Sequence, residues 1–125
     1  RFVTPTPDDT RLKRVLDGAG GYLYYVSVAG VTGTKSAPED AVRAAMARIR
    51  AATDLPCTVG FGIRTPQQAA GIAALADGVV VGSAIVSRIA DNLDRPRAVI
   101  IAEVLELARA LAGSTHQARH AKVSA

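Results

Sequence analysis

Short apolar runs alternating with longer amphipathic stretches constrain this chain more than any other feature. Phe2-Val3-Thr4, Tyr22 to Ser27, Cys57 to Gly60 and Gly78 to Val81 are short and rich in β-branched or aromatic residues. Each is followed by a segment with apolar residues at helical spacing. Strand-then-helix repetition of this kind predicts a parallel α/β sheet.

Local signals place the helix starts. Thr6-Pro7-Asp8-Asp9 offers a capping hydroxyl, a first-turn proline and acids at the positive end of a helix carrying Leu12, Val15 and Leu16. Ser36-Ala37-Pro38-Glu39 and Thr65-Pro66-Gln67-Gln68 have the form of capping boxes. The first precedes a stripe of Val42, Ala45, Met46 and Ile49, and the second an alanine-rich helix from Gln67 to Leu75. Gly78 to Val81 reads as a strand buried on both faces. Gly82-Ser83-Ala84 opens a short helix to Ile89. A longer helix spans Arg97 to Leu111 with the stripe Ile100, Ile101, Val104, Ala108 and Leu111, and Gly113 to Ala125 reads as a polar, frayed tail.

These are four consecutive βα units in 125 residues, treated as one domain over 1–125. A closed (β/α)8 barrel takes eight units and roughly 250 residues, so half a barrel is the expected architecture. The chain opens on Arg1 at the edge of an apolar run, a further sign of a segment of something longer.

Composition removes several function classes. Aromatics make up 4% of residues with no Trp, and the net charge of +4 is dispersed, which does not suit stacking of nucleic-acid bases. No apolar run approaches the roughly 20 residues of a membrane span. The one cysteine, Cys57, has no internal partner, which points to a reducing, cytoplasmic setting and to an inert core thiol. His116 and His120 stand four apart, but in a polar tail with no carboxylate partner, so no metal site is assigned.

Three glycine-bearing turns follow the second, third and fourth strands: Gly30-Val31-Thr32-Gly33, Gly60-Phe61-Gly62 and Gly82-Ser83. Each glycine by itself is explained by a tight turn. Together they fall on one rim, where parallel βα folds bind ligands, and the last opens a helix whose N-terminus favours an anion. A phosphate is the expected occupant.

Tyr22-Leu23-Tyr24-Tyr25-Val26-Ser27, Gly30-Val31-Thr32-Gly33, Gly60-Phe61-Gly62-Ile63 and Gly82-Ser83-Ala84-Ile85-Val86, in this order, resemble the tryptophan synthase alpha subunit. The resemblance implies strands five to eight of a TIM barrel. The implied reaction is retro-aldol cleavage of indole-3-glycerol phosphate to indole and glyceraldehyde 3-phosphate in tryptophan biosynthesis. It further implies an alpha2-beta2 heterotetramer whose beta subunit alone carries pyridoxal phosphate, with no cofactor in this chain. Carried over by motif, Gly33, Gly62, Gly82 and Ser83 would bind the phosphate, and Thr32 and Phe61 would line the substrate pocket. Tyr24 would be an auxiliary catalytic residue facing the barrel interior, on the strand face opposite Tyr25. The family's catalytic glutamate and aspartate have no counterpart here, because Asp8, Asp9, Glu39 and Asp40 sit at helix starts. The chain alone is therefore expected to be inactive. Val28 stands where many relatives carry arginine. The alternatives from the residues themselves are a phosphate-binding βα module and a piece of another sugar-phosphate barrel isomerase or aldolase.

Overall fold

A computed structural model of the chain describes residues 1–5, 8–27, 39–60 and 62–123. The elements run β1 (Phe2–Val3), α1 (Asp9–Leu16), β2 (Leu23–Val26), α2 (Glu39–Ala52), β3 (Cys57–Gly60), α3 (Pro66–Ala73), β4 (Gly78–Val80), α4 (Ser83–Ala90) and α5 (Arg97–Val123). The strands form one sheet in the order β1-β2-β3-β4, every pair parallel. The expected βα repetition is therefore present, with the strands side by side in chain order.

Alternation along the strands divides the sheet into two unlike faces. Val3, Leu23, Tyr25, Cys57 and Val59 are buried and join Leu12, Val42, Met46, Ile49, Ala69, Ile72 and Leu111 from the helices in one apolar core. The opposite face carries Phe2, Tyr22, Tyr24, Thr58 and Val80, and no described helix covers it. Phe2 is 70% exposed, Tyr22 58% and Val80 38%, against 3% for Tyr25. A parallel sheet normally has both faces covered; here one is bare, as the inner wall of an opened barrel would be.

Two local expectations hold closely. Thr65 caps α3 with the reciprocal box: its Oγ1 accepts from the Gln68 amide at 3.2 Å while Gln68 Oε1 accepts from the Thr65 amide at 3.3 Å. Pro66 takes the first helical position. Tyr24 and Tyr25 also fall on opposite faces, as the strand period requires.

Other expectations are corrected. Asp8 caps α1, its carboxylate accepting from the Arg11 amide at 2.7 Å, while Thr6 and Pro7 lie outside the described residues. So do Ser36, Ala37 and Pro38 of the first capping box. The β4 strand is not buried on both faces, since it is a sheet edge and Val80 lies on the bare side. The long helix does not stop at Leu111 but continues through Val123, so the stretch read as a frayed tail is helical from Gly113 to Val123. Arg119 anchors it, donating to the Asp77 carbonyl at 2.8 Å. Only part of the α5 stripe is covered: Leu111 is buried, whereas Ile101 and Leu105 are exposed beside Ile89 in an apolar groove. The stripe is wider than α3 and the sheet can cover.

Asp77, just before β4, ties three layers together. Its carboxylate accepts from the Cys57 amide at 2.9 Å and pairs with Arg50 of α2 at 3.4 Å, and its carbonyl receives Arg119. A second polar cluster fixes α4 against α5. Asn92, buried, donates to the Arg88 carbonyl and accepts from Arg95, both at 2.8 Å, while Glu103 pairs with Arg88 at 3.0 Å and Arg95 at 3.5 Å.

Candidate functional site

The C-terminal ends of β2, β3 and β4 open onto a cleft of about 460 Å³ lined by Tyr24, Gly62, Ile63, Arg64, Val80, Gly82 and Ser83. It therefore collects four of the seven residues singled out from sequence: Tyr24, Gly62, Gly82 and Ser83. The remaining three, Thr32, Gly33 and Phe61, lie outside the described residues, as does Gly30.

Tyr24 reaches the cleft by leaning along the sheet. It stands opposite Thr58, yet its ring lies over Gly60, two residues further toward the strand end. A Cβ on Gly60 would meet the tyrosine hydroxyl and come within 2.7 Å of Cζ and 2.8 Å of Cε2, so only glycine leaves room for the ring. Phe2 holds the ring from the other side, edge to face with centroids 5.3 Å apart. Ser27 secures the same corner, its amide and hydroxyl both donating to the Gly60 carbonyl at 3.1 and 3.0 Å.

The glycines have different reasons. Gly62 has φ +74°, a left-handed conformation that an L side chain adopts at a cost, so the turn itself explains it. Gly82 has φ −115°, and a Cβ there would meet no described atom within 4 Å. Neither backbone strain nor crowding accounts for a glycine at that place.

Helix starts differ in the same way. The first turn of α1 holds Asp9 and that of α2 holds Glu39 and Asp40, each placing carboxylate charge on the positive end of the helix. The first turns of α3 and α4 contain no acid. Thr65 caps α3 internally, but at α4 the capping position is Gly82, which has no side chain to satisfy the leading amides. Gly82 and Ser83 line the cleft, so this corner carries the partial positive charge of a helix start without a side-chain cap.

Arg64 is the residue that sequence reading passed over. Among the described residues that line the cleft it is the one with a charged side chain. The signal available in the sequence was a cation placed directly between the Gly60-Phe61-Gly62 turn and the capping box.

Cys57 takes no part. It is buried on the opposite face, and burial together with the nearby Asp77 carboxylate pushes its thiol up to about 11, so it stays protonated near neutrality. Among the described residues no group of three or more His, Cys, Asp or Glu is arranged to hold a metal ion. Nor is any described helix long and apolar enough to cross a membrane.

The comparisons with known proteins agree with this geometry. The family described as Tryptophan synthase alpha chain matches residues 1–116. The tryptophan synthase alpha chain of Zymomonas mobilis is 54% identical over 121 residues, covering 94% of this chain and 44% of that one. Tryptophan synthase from M. tuberculosis in its aminoacrylate-bound form superposes with a TM-score of 0.70 at 30% identity, over 91% of this chain and 38% of that one. The alpha subunit from Campylobacter jejuni gives 0.68 at 34% identity, over 85% and 42%. The alpha subunit from Legionella pneumophila gives 0.68 at 33%, over 95% and 41%. The chain thus spans less than half the length of these relatives, and its four units form part of a (β/α)8 barrel. With its sequence matched almost throughout and its sheet superposed on those of solved relatives, the chain belongs to the tryptophan synthase alpha chain family.

Proposed function

We propose that this chain supplies the phosphate-holding sector of a lyase that splits indole-3-glycerol phosphate into indole and glyceraldehyde 3-phosphate. The observation that carries this reading is the start of α4, which has neither an acid nor a capping side chain and faces a cleft with Gly62 and Arg64 on its rim. In this reading the amides after Gly82 and the Ser83 hydroxyl donate to the phosphate oxygens. Thr32, Gly33 and Phe61 complete the phosphate and indole contacts, and Tyr24 faces the reacting end of the substrate.

The proton-transferring glutamate and the aspartate that holds the indole nitrogen belong to another part of the polypeptide. The chain's own task is positioning. A phosphate gripped at one end fixes the glycerol carbons relative to the catalytic groups, so that binding energy remote from the scissile bond assists the reaction. We further assign the assembly to an alpha2-beta2 enzyme of the cytoplasm, in which indole passes to a beta subunit that holds the pyridoxal phosphate. This chain itself needs no cofactor.

The test is calorimetric titration of the full polypeptide with glycerol 3-phosphate. Saturable binding that Gly82→Asp abolishes is the expected result. Unchanged affinity in that variant would place the anion elsewhere on the barrel.

A further inference from the structure

Among the described residues three arginines are matched by carboxylates, Arg50 by Asp77, and Arg88 and Arg95 by Glu103, and the others are not. Arg64 has no such ion pair among the described residues, although it stands beside a helix start that is itself electropositive. Two like-signed features at one rim, with no acid in the first turn of α3 or α4 to offset them, are unfavourable to each other until an anion sits between them.

The backbone that carries Arg64 is fixed. Its amide donates to Gln68 Oε1 at 2.8 Å, and the Thr65 amide donates to the same oxygen at 3.3 Å. One neutral glutamine therefore clamps the base of the arginine without cancelling its charge. Arg64 lines the cleft together with Gly62, Gly82 and Ser83.

We propose that Arg64 is a specificity-determining contact of this cleft, its guanidinium selecting the dianionic form of a phosphate monoester. The proposal rests on the reading of the cleft as a phosphate site and adds a side-chain charge to it. The backbone amides accept any oxyanion of the right size. A guanidinium distinguishes by charge, because it is always protonated and forms paired hydrogen bonds to two oxygens of one phosphate. A phosphate monoester loses its second proton near pH 6, so the preference emerges as pH rises through that value.

The experiment measures glycerol 3-phosphate affinity of the full polypeptide at pH 5 and pH 8, for wild type, Arg64→Gln and Arg64→Lys, with Gly82→Asp as the blocked site. Wild-type affinity should rise between the two pH values. Arg64→Gln should lose roughly five- to tenfold at pH 8 and far less at pH 5, the loss expected for one charge-assisted contact at an exposed position. Arg64→Lys should recover part of the pH 8 affinity, restoring the charge without the paired hydrogen bonds, which a merely structural role for the guanidinium would not produce. Thermal unfolding of each variant monitors folding, and the Lys variant keeps the test decisive if Gln disturbs the loop. If wild type and Arg64→Gln bind equally at pH 8 while Gly82→Asp does not bind, the arginine proposal fails and the phosphate site stands. If wild type does not bind, the underlying reading fails and the proposal with it.

Discussion

Tyr24 stands over Gly60 of the neighbouring strand, filling the space in which any other residue there would carry its Cβ. The pair couples the bare inner face of the sheet to the rim, because the same ring lines the cleft. Gly60→Ala should therefore destabilise the protein by about 1–3 kcal/mol through overpacking. Adding Tyr24→Ala should relieve most of that cost. Urea unfolding of the two single variants and the double variant measures the coupling, and strict additivity would show that the ring moves aside freely.

Gly82→Asp should separate stability from binding. Aspartate is a good capping residue, and its charge suits the positive end of α4, so unfolding free energy should hold steady or rise by about 0.3–1 kcal/mol. Anion binding should be lost, because the carboxylate occupies the corner and repels a dianion. Ser83→Ala should be milder, weakening binding by about 1.5–3 kcal/mol for one hydrogen bond to a charged partner. Equal losses in the two variants would contradict the assigned geometry.

Asp77→Ala should cost about 1–3 kcal/mol, because it leaves the Cys57 amide without its acceptor in a partly buried place. Asp77→Asn keeps an acceptor oxygen and should cost less. The exposed Arg50 pair contributes little to either value. Chemical denaturation ranks the two variants, and equal costs would assign the effect to the ion pair instead.

Raising the pH should weaken the fold through Cys57. Its folded-state pKa stands at about 11 against an ordinary 9.0, so the folded chain holds the proton more tightly than the unfolded chain. The associated stability is complete below pH 9 and declines between about 9 and 11, by at most about 1.4 kcal/mol per pH unit. Tyr25, raised chiefly by burial, acts in the same direction. Cys57→Ala should reduce the slope of stability against pH in this window while Tyr25 still contributes. An unaltered slope would show that the thiol is already ionised.

The 125-residue chain alone should self-associate and show no measurable indole-3-glycerol phosphate cleavage. Phe2, Tyr22 and Val80 on the bare face and the open edges β1 and β4 invite association. In the proposed reading the acid–base groups lie outside this chain, and losing such groups alone costs ~10²–10⁴ in rate. Sedimentation and an indole-release assay check both; a sharply monomeric, active sample would overturn the assignment of chemistry to the other part of the polypeptide.

Features set by neighbouring residues were legible in the sequence. The Thr65-Pro66-Gln67-Gln68 box, the limits of β3 and the opposite facing of Tyr24 and Tyr25 all follow from local hydrogen bonding or strand period. Features set across the fold were not. Val79-Val80-Val81 has the composition of a buried strand, but β4 lies at a sheet edge here. Nothing near Gly113 announces that the helix continues, because Arg119 finds Asp77 across 42 residues. The cleft was visible in part, as the glycine turns at Gly62 and Gly82. Arg64 was not, since a single arginine before a capping box is ordinary until the cleft around it is seen.

The order of the strands has a consequence for how such a molecule folds and evolves. Each strand pairs with the one before it in sequence, across separations of 22, 34 and 20 residues at Phe2–Tyr24, Leu23–Cys57 and Thr58–Gly78. The sheet can therefore grow one βα unit at a time, each addition closing a loop of similar and modest entropy. A ring built by repeating that junction has no privileged first unit. Circular permutation at a βα joint should be tolerated, and duplication or fusion of whole units offers a ready route by which such rings lengthen and diversify.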